Sequence, residues 1–115
     1  MSRRDDSVPL RHMLDHAREG VGFVAGKSRP DIDRERVLQL ALTRVIEIVG
    51  EAARRVSDEG RARVPDIPWQ TVVGARNRVI HGYDSVNYDV VWHIITVEFP
   101  RLIESLERQF PKDQN

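Results

Sequence analysis

Val37-Leu38-Gln39-Leu40-Ala41-Leu42-Thr43-Arg44-Val45-Ile46-Glu47-Ile48-Val49-Gly50-Glu51-Ala52-Ala53-Arg54-Arg55-Val56 carries the densest apolar pattern in the chain. Apolar residues recur at three- and four-residue steps, the mark of an amphipathic helix. The stripe is wide, which predicts that more than one neighbour covers it. A helix from Arg34 to Ser57 would extend about 36 Å at 1.5 Å per residue. Asp31 or Asp33 is expected to cap it, and Gly60 to stop it. This reads as the central helix of a bundle.

Upstream, Leu10, Met13, Leu14, Ala17, Val21 and Val24 trace a second stripe, with Ser7 the expected cap and Pro9 in the first turn. Gly20, Gly22 and Gly26 punctuate its end. The run from Gly20 to Gly26 approaches a dinucleotide-binding fingerprint but misses it: the spacing is one residue too long and no strand precedes it. A loosened helix end or close helix packing is the better reading. Downstream, Pro65-Asp66-Ile67-Pro68-Trp69 restarts the chain with Asp66 or Ile67 as cap, and one helix is expected to run on to Gly82 as its left-handed terminator. Asn87 caps the last helix, whose stripe runs from Val90 to Leu106. Pro100 lies inside it and predicts a kink, because it removes a hydrogen bond and crowds the preceding turn. No strand-like alternation is evident. The expected architecture is all-α: an antiparallel four- to five-helix bundle with a kinked C-terminal helix, one domain over residues 1–115, with 110–115 frayed.

Composition narrows the function classes. The 115 residues contain no cysteine, which excludes disulfides and thiolate metal sites and fits a cytoplasmic protein. No apolar run approaches the roughly 18 residues of a membrane span. Met1-Ser2-Arg3-Arg4-Asp5-Asp6 leads into no apolar h-region and reads as no signal peptide. Eighteen basic residues balance eighteen acidic ones, so a nucleic acid would have to be held by a local basic cleft and not by bulk charge.

Chemistry concentrates in Ala75-Arg76-Asn77-Arg78-Val79-Ile80-His81-Gly82-Tyr83-Asp84. On a continuous helix Asn77 and His81 share a face, whereas Arg76 lies roughly 140° from His81 at about 100° per residue. A second copy, or a distorted helix end, would be needed to unite all three. The residue types suit cleavage of an RNA phosphodiester. A histidine moves a proton from a 2′-hydroxyl or to the leaving oxygen, an arginine grips the phosphate through two parallel N–H bonds, and an asparagine orients either. The bland reading is a histidine favoured by a helix dipole and an arginine solvated or paired with a carboxylate.

Other residues admit both functional and structural roles. Glu51, one turn from Glu47, is a candidate support for Arg76 or His81, or else part of a solvated pair. His12 and His16 have metal spacing without a third ligand, and no metal or cofactor is expected. Trp69 and Trp92 read as core or interface anchors. Arg54, Arg55, Arg61 and Arg63 form a basic cluster that could steer RNA or simply be solvated.

The motif Arg76-Asn77-x-x-x-His81-x-Tyr83 resembles the R-x4-H-x-Y signature of HEPN-domain ribonucleases, specifically the HepT-like toxin family. Ile48-Val49-Gly50-Glu51-Ala52, Pro65-Asp66-Ile67-Pro68-Trp69 and Val91-Trp92-His93-Ile94 are similar to that family's other blocks, so the resemblance spans roughly residues 37–106. It implies the toxin of a type II/VII-like toxin–antitoxin pair. Such a toxin is a homodimer whose two motifs meet in a cleft and cleave RNA without metal. Arg76 and His81 would be catalytic and Asn77 supporting. The partner would be a minimal nucleotidyltransferase antitoxin that transfers AMP to Tyr83. The alternatives are a catalytically silent helical module that recruits or regulates a nucleotidyltransferase, and a nucleotide-binding regulator.

Overall fold

In a computed structural model, which describes residues 5–81 and 85–111, two long helices set the frame: α1 (Ser7–Phe23) and α3 (Arg36–Arg54). They run antiparallel, since Asp6 at the start of α1 meets Ser57 beyond the end of α3. Between them the short α2 (Arg29–Arg34) is closed off by Glu35, whose extended backbone (φ −118°, ψ 95°) separates it from α3. The expected cap at Asp31 or Asp33 is therefore corrected. Glu35 stands at the N-cap of α3, and Ser28 caps α2, its backbone N–H donating to the Asp31 carboxylate at 2.7 Å in a capping box, while Asp33 pairs with Arg29. At the first helix the cap is Asp6, and Ser7 is the first helical residue.

Helix α4 (Asp58–Ala62) contains Gly60, which is buried within the helix and does not terminate α3. A Cβ there would collide with the Asp6 carboxylate, so glycine leaves the room Asp6 needs. Asp6 is in turn the acceptor for the Ser57 N–H (2.9 Å) and hydroxyl (2.6 Å).

The single helix expected from Pro68 to Gly82 is two short ones, α5 (Trp69–Val73) and α6 (Ala75–Val79), broken at Gly74. Pro68 caps α5, whereas Asp66 reaches across to Ser105 and Arg108. After Val79 the chain turns extended, and β1 (Ile80–His81) pairs antiparallel with β2 (Ser85–Val86). The Asn87 N–H donates to Val79 O at 2.7 Å and closes this small hairpin, a strand pairing that alternation in the sequence does not announce. The Gly82 terminator and Tyr83 fall outside the described residues, as does the tail beyond Pro111.

The last arm begins with α7 (Tyr88–His93), where the Asn87 side chain accepts from the N–H groups of Asp89 and Val90, as expected of a cap. It continues through a π turn at Ile94–Glu98 into α8 (Phe99–Glu107). Pro100 thus acts as the start of a new helical segment, and the wider turn before it accommodates the lost hydrogen bond.

The core lies where α1, α3 and this last arm meet: Met13, Leu14, Ala17, Leu42, Val45, Ile46, Val49, Ile95 and Leu106 are all buried. Gly20 sits where α1 meets α3 and the last arm, and a Cβ there would come within 3.1 Å of Phe99 and Val45, so close packing accounts for this glycine. Gly26 has φ +75°, the left-handed turn out of α1. The wide stripe of α3 is covered by α1 on one side and by α5 and α6 on the other. Two of its apolar residues, Val37 (81% exposed) and Leu40 (54%), nevertheless face outward. The result is an all-α bundle with one minimal hairpin, and among the described residues no helix is long and apolar enough to cross a membrane.

Candidate functional site

Helix α6 places Arg76, Asn77 and Arg78 in successive positions about 100° apart, so each faces a different way. Arg76 turns to α3, its Nε 3.2 Å from Glu47 Oε2. Arg78 turns to the π turn, donating from Nη1 to Glu98 Oε1 at 2.8 Å and from Nη2 to Glu98 Oε2 at 2.6 Å. Asn77, between them, is exposed. One turn of helix is thereby staked on both sides, with the amide presented outward.

The Arg78–Glu98 fork is the better formed of the two ties. The Arg78 hydrogen bonds hold the Glu98 carboxyl below its ordinary range, and the carboxylate raises the Arg78 guanidinium further. His93 adds a contact, Nε2 lying 3.4 Å from Glu98 Oε2. Neither Arg78 nor Glu98 was singled out by spacing. They are twenty residues apart, on α6 and on the π turn, and meet only through tertiary packing.

The helical relation expected between Asn77 and His81 does not hold. Helix α6 ends at Val79, Ile80 is extended (φ −82°, ψ 124°), and His81 belongs to β1 opposite Ser85. The backbone of His81 thus leaves the site by a strand and not a helical turn. Its side chain and Tyr83 lie outside the described residues.

A cleft of about 90 Å³ opens beside Arg76, lined by Glu47, Gly50, Glu51, Arg54 and Val73. Gly50 makes it possible: a Cβ there would stand 3.2 Å from Val72 O, so α5 can lie directly on α3. Arg76 therefore pairs with Glu47, one turn before Glu51, while Glu51 lines the same cleft. The sequence places Glu47 and Glu51 on the same outward stripe of α3 and does not choose between them. Across α5 and α6 a larger cavity of about 380 Å³ has an apolar floor of Ile46, Val49, Ile94 and Leu102, and a rim that includes His93 and Arg101.

Of the basic cluster, Arg54 reaches the Arg76 cleft. Arg55 contacts His12, and Arg61 donates to Ala53 O and lies over Trp69. Arg63 pairs with Asp6 and Glu59. Trp69 and Trp92 pack against the core, and the Trp69 Nε1–H donates to Val64 O at 3.1 Å. His12 and His16 stand edge to face at 6.2 Å, and among the described residues no group of three potential metal ligands forms.

A family model described as ribonuclease HepT-like matches residues 13–109. The chain is 30% identical to "Putative RNase MJ1380" of Methanocaldococcus jannaschii, over 93% of its own length and 98% of the relative's. It is 32% identical to "Putative RNase TTE0752" of Caldanaerobacter subterraneus subsp. tengcongensis, over 91% and 94%. With "Probable ribonuclease HepT" of Thermococcus cleftensis the identity is 30%, over 64% of this chain and 67% of the relative. No solved structure gives a significant match.

Proposed function

We propose a function from one premise: the chain belongs to the ribonuclease HepT-like family. It acts as an RNA endonuclease that needs no metal. Arg76 grips the scissile phosphate and offsets the charge that builds in the transition state. His81 removes the proton of the 2′-hydroxyl as that oxygen attacks phosphorus, and a second His81 delivers a proton to the departing 5′-oxygen. Asn77 orients the phosphate beside Arg76.

Two histidines imply two copies. Supporting a homodimer is the outward stripe of α3, where Val37, Leu40, Arg44, Glu47, Glu51 and Arg54 follow one another at alternating steps of three and four. Val37 and Leu40 on that stripe are apolar and exposed. In its cell the enzyme is the toxin of a two-component pair, silenced by a minimal nucleotidyltransferase that transfers AMP to Tyr83. A bulky anion two residues from His81 would repel RNA from the site.

The observation that carries this reading is Arg76: its side chain is 68% exposed and tied at Nε, beside an exposed Asn77. Purified protein should cleave RNA in excess EDTA. Arg76→Ala and His81→Ala should each lower the rate by at least about 100-fold with the helical CD signal unchanged. Cleavage by either variant at the parent rate overturns the assignment.

A further inference from the structure

Glu47 holds two arginines at once. Its Oε1 lies 2.6 Å from Arg44 Nη1 and its Oε2 lies 3.2 Å from Arg76 Nε. The carboxylate is the least exposed of the three, 28% against 59% and 68% for the arginines. It also projects from the middle of α3, with Ile46 and Val49 beside it buried in the core. Which nitrogen of Arg76 it meets matters. A guanidinium offers a phosphate its best two-pronged grip through paired N–H groups. A carboxylate seated across both Nη atoms would occupy that grip. The ion pair at Nε meets the guanidinium from its side and leaves the Nη1–Nη2 end unoccupied by Glu47.

We infer that Glu47 is a positioning residue, which aims the Nη end of Arg76 at the scissile phosphate while Arg44 secures its second oxygen. The inference rests on the nuclease function proposed above and adds a role for Glu47 to it. Two cations on one carboxylate leave this corner with a net positive charge, so RNA is not repelled by the glutamate that organises it.

The test compares parent, Glu47→Ala and Glu47→Gln as full-length proteins. Misplacing a transition-state group by about 1 Å costs on the order of 100-fold, so Glu47→Ala should lower kcat by roughly 10- to 100-fold, with KM for RNA changed less than about threefold. Glu47→Gln keeps an oxygen that can accept from Nε and should recover most of the loss. The Nε–H NMR signal of Arg76, identified by its disappearance in Arg76→Lys, should move toward the position of a solvated arginine in Glu47→Ala. An active parent with an equally active Glu47→Ala overturns the inference alone. So does a change confined to KM, a glutamine variant no better than alanine, or an unmoved Nε–H signal. A parent that cleaves no RNA overturns the proposed function and this inference with it.

Discussion

The Arg78 guanidinium and the Glu98 carboxylate meet fork to fork, at 2.8 and 2.6 Å, and join α6 to the π turn of the last helical arm. The contact stands one residue from Asn77 and two from Arg76, so it fixes the orientation of the candidate catalytic turn from the side opposite Glu47.

Breaking it should cost modest stability and show a defined pH signature. A double-mutant cycle with Arg78→Ala and Glu98→Gln should give a coupling of about 1 kcal/mol, held to that size by solvent screening. Because the folded-state Glu98 carboxyl is depressed, chiefly by its hydrogen bond from Arg78, its contribution is complete above the unfolded value. It is lost as the pH falls below about 4.3 and through the lower folded value. Urea titrations of parent and Glu98→Gln should converge on acidification; a gap that stays constant to low pH refutes the linkage.

Two glycines in one helix should respond with opposite signs. At Gly20 a methyl meets Phe99, Val45 and Ile95 at 3.1 to 3.2 Å, whereas at Gly22 it meets nothing within 4 Å. Gly20→Ala should destabilise by about 1 kcal/mol, overpacking outweighing the helix-propensity gain. Gly22→Ala should stabilise by about 0.5 kcal/mol, the full gain being reduced near a helix end. Thermal melts that shift in the same direction would refute the packing account.

Asp6 is a polar group sealed into the junction of α1, α3 and α4, its side chain 1% exposed. Asp6→Ala removes the acceptor for both Ser57 donors and should cost about 2 kcal/mol, the scale for hydrogen bonds to a charged group. Chemical denaturation measures it, and a loss under 0.5 kcal/mol would be too small for a buried anchor of this kind.

If the outward stripe of α3 is where a second copy docks, Leu40→Glu should convert dimer to monomer in light scattering. It should abolish RNA cleavage and leave the CD spectrum intact. A monomeric parent, or a Leu40→Glu dimer of unchanged affinity, would remove this surface from the account.

If the proposed nucleotidyltransferase partner transfers AMP to Tyr83, Tyr83→Phe should block the resulting mass increase with ATP, while RNA cleavage by the variant persists. An unchanged mass increase would place the modification elsewhere.

Much of the bundle is legible in the chain because α1 and α3 bury their stripes over many turns, so periodicity is sampled repeatedly. Asn87 is equally plain, its cap being a local interaction between neighbours in sequence. The site segment is harder to read. Val72, Val73, Val79 and Ile80 fit one continuous helix as well as they fit two short ones and a strand. What selects the second is Ser85-Val86 pairing back onto Ile80-His81, and Asn87 bonding to Val79. Likewise Glu47 and Glu51 are equivalent on a helical wheel, and only the placement of α6 against α3 separates them. Ser28 and Asp31 are two halves of one capping box, and reading only the acid shifts the helix start by a turn.

The π turn at Ile94–Glu98 has a consequence for how the chain tolerates change in length. A wide turn of this kind takes up one additional residue while α7 and α8 on either side keep facing their own neighbours. Excising Thr96 should therefore let the arm wind regularly and still fold, whereas excising one residue from the middle of α3 would rotate half of that helix by about 100° and expose its buried side. Helical CD and Tm of the two deletions distinguish them. The spare residue would let the packing register of this arm slip by one without loss of the core.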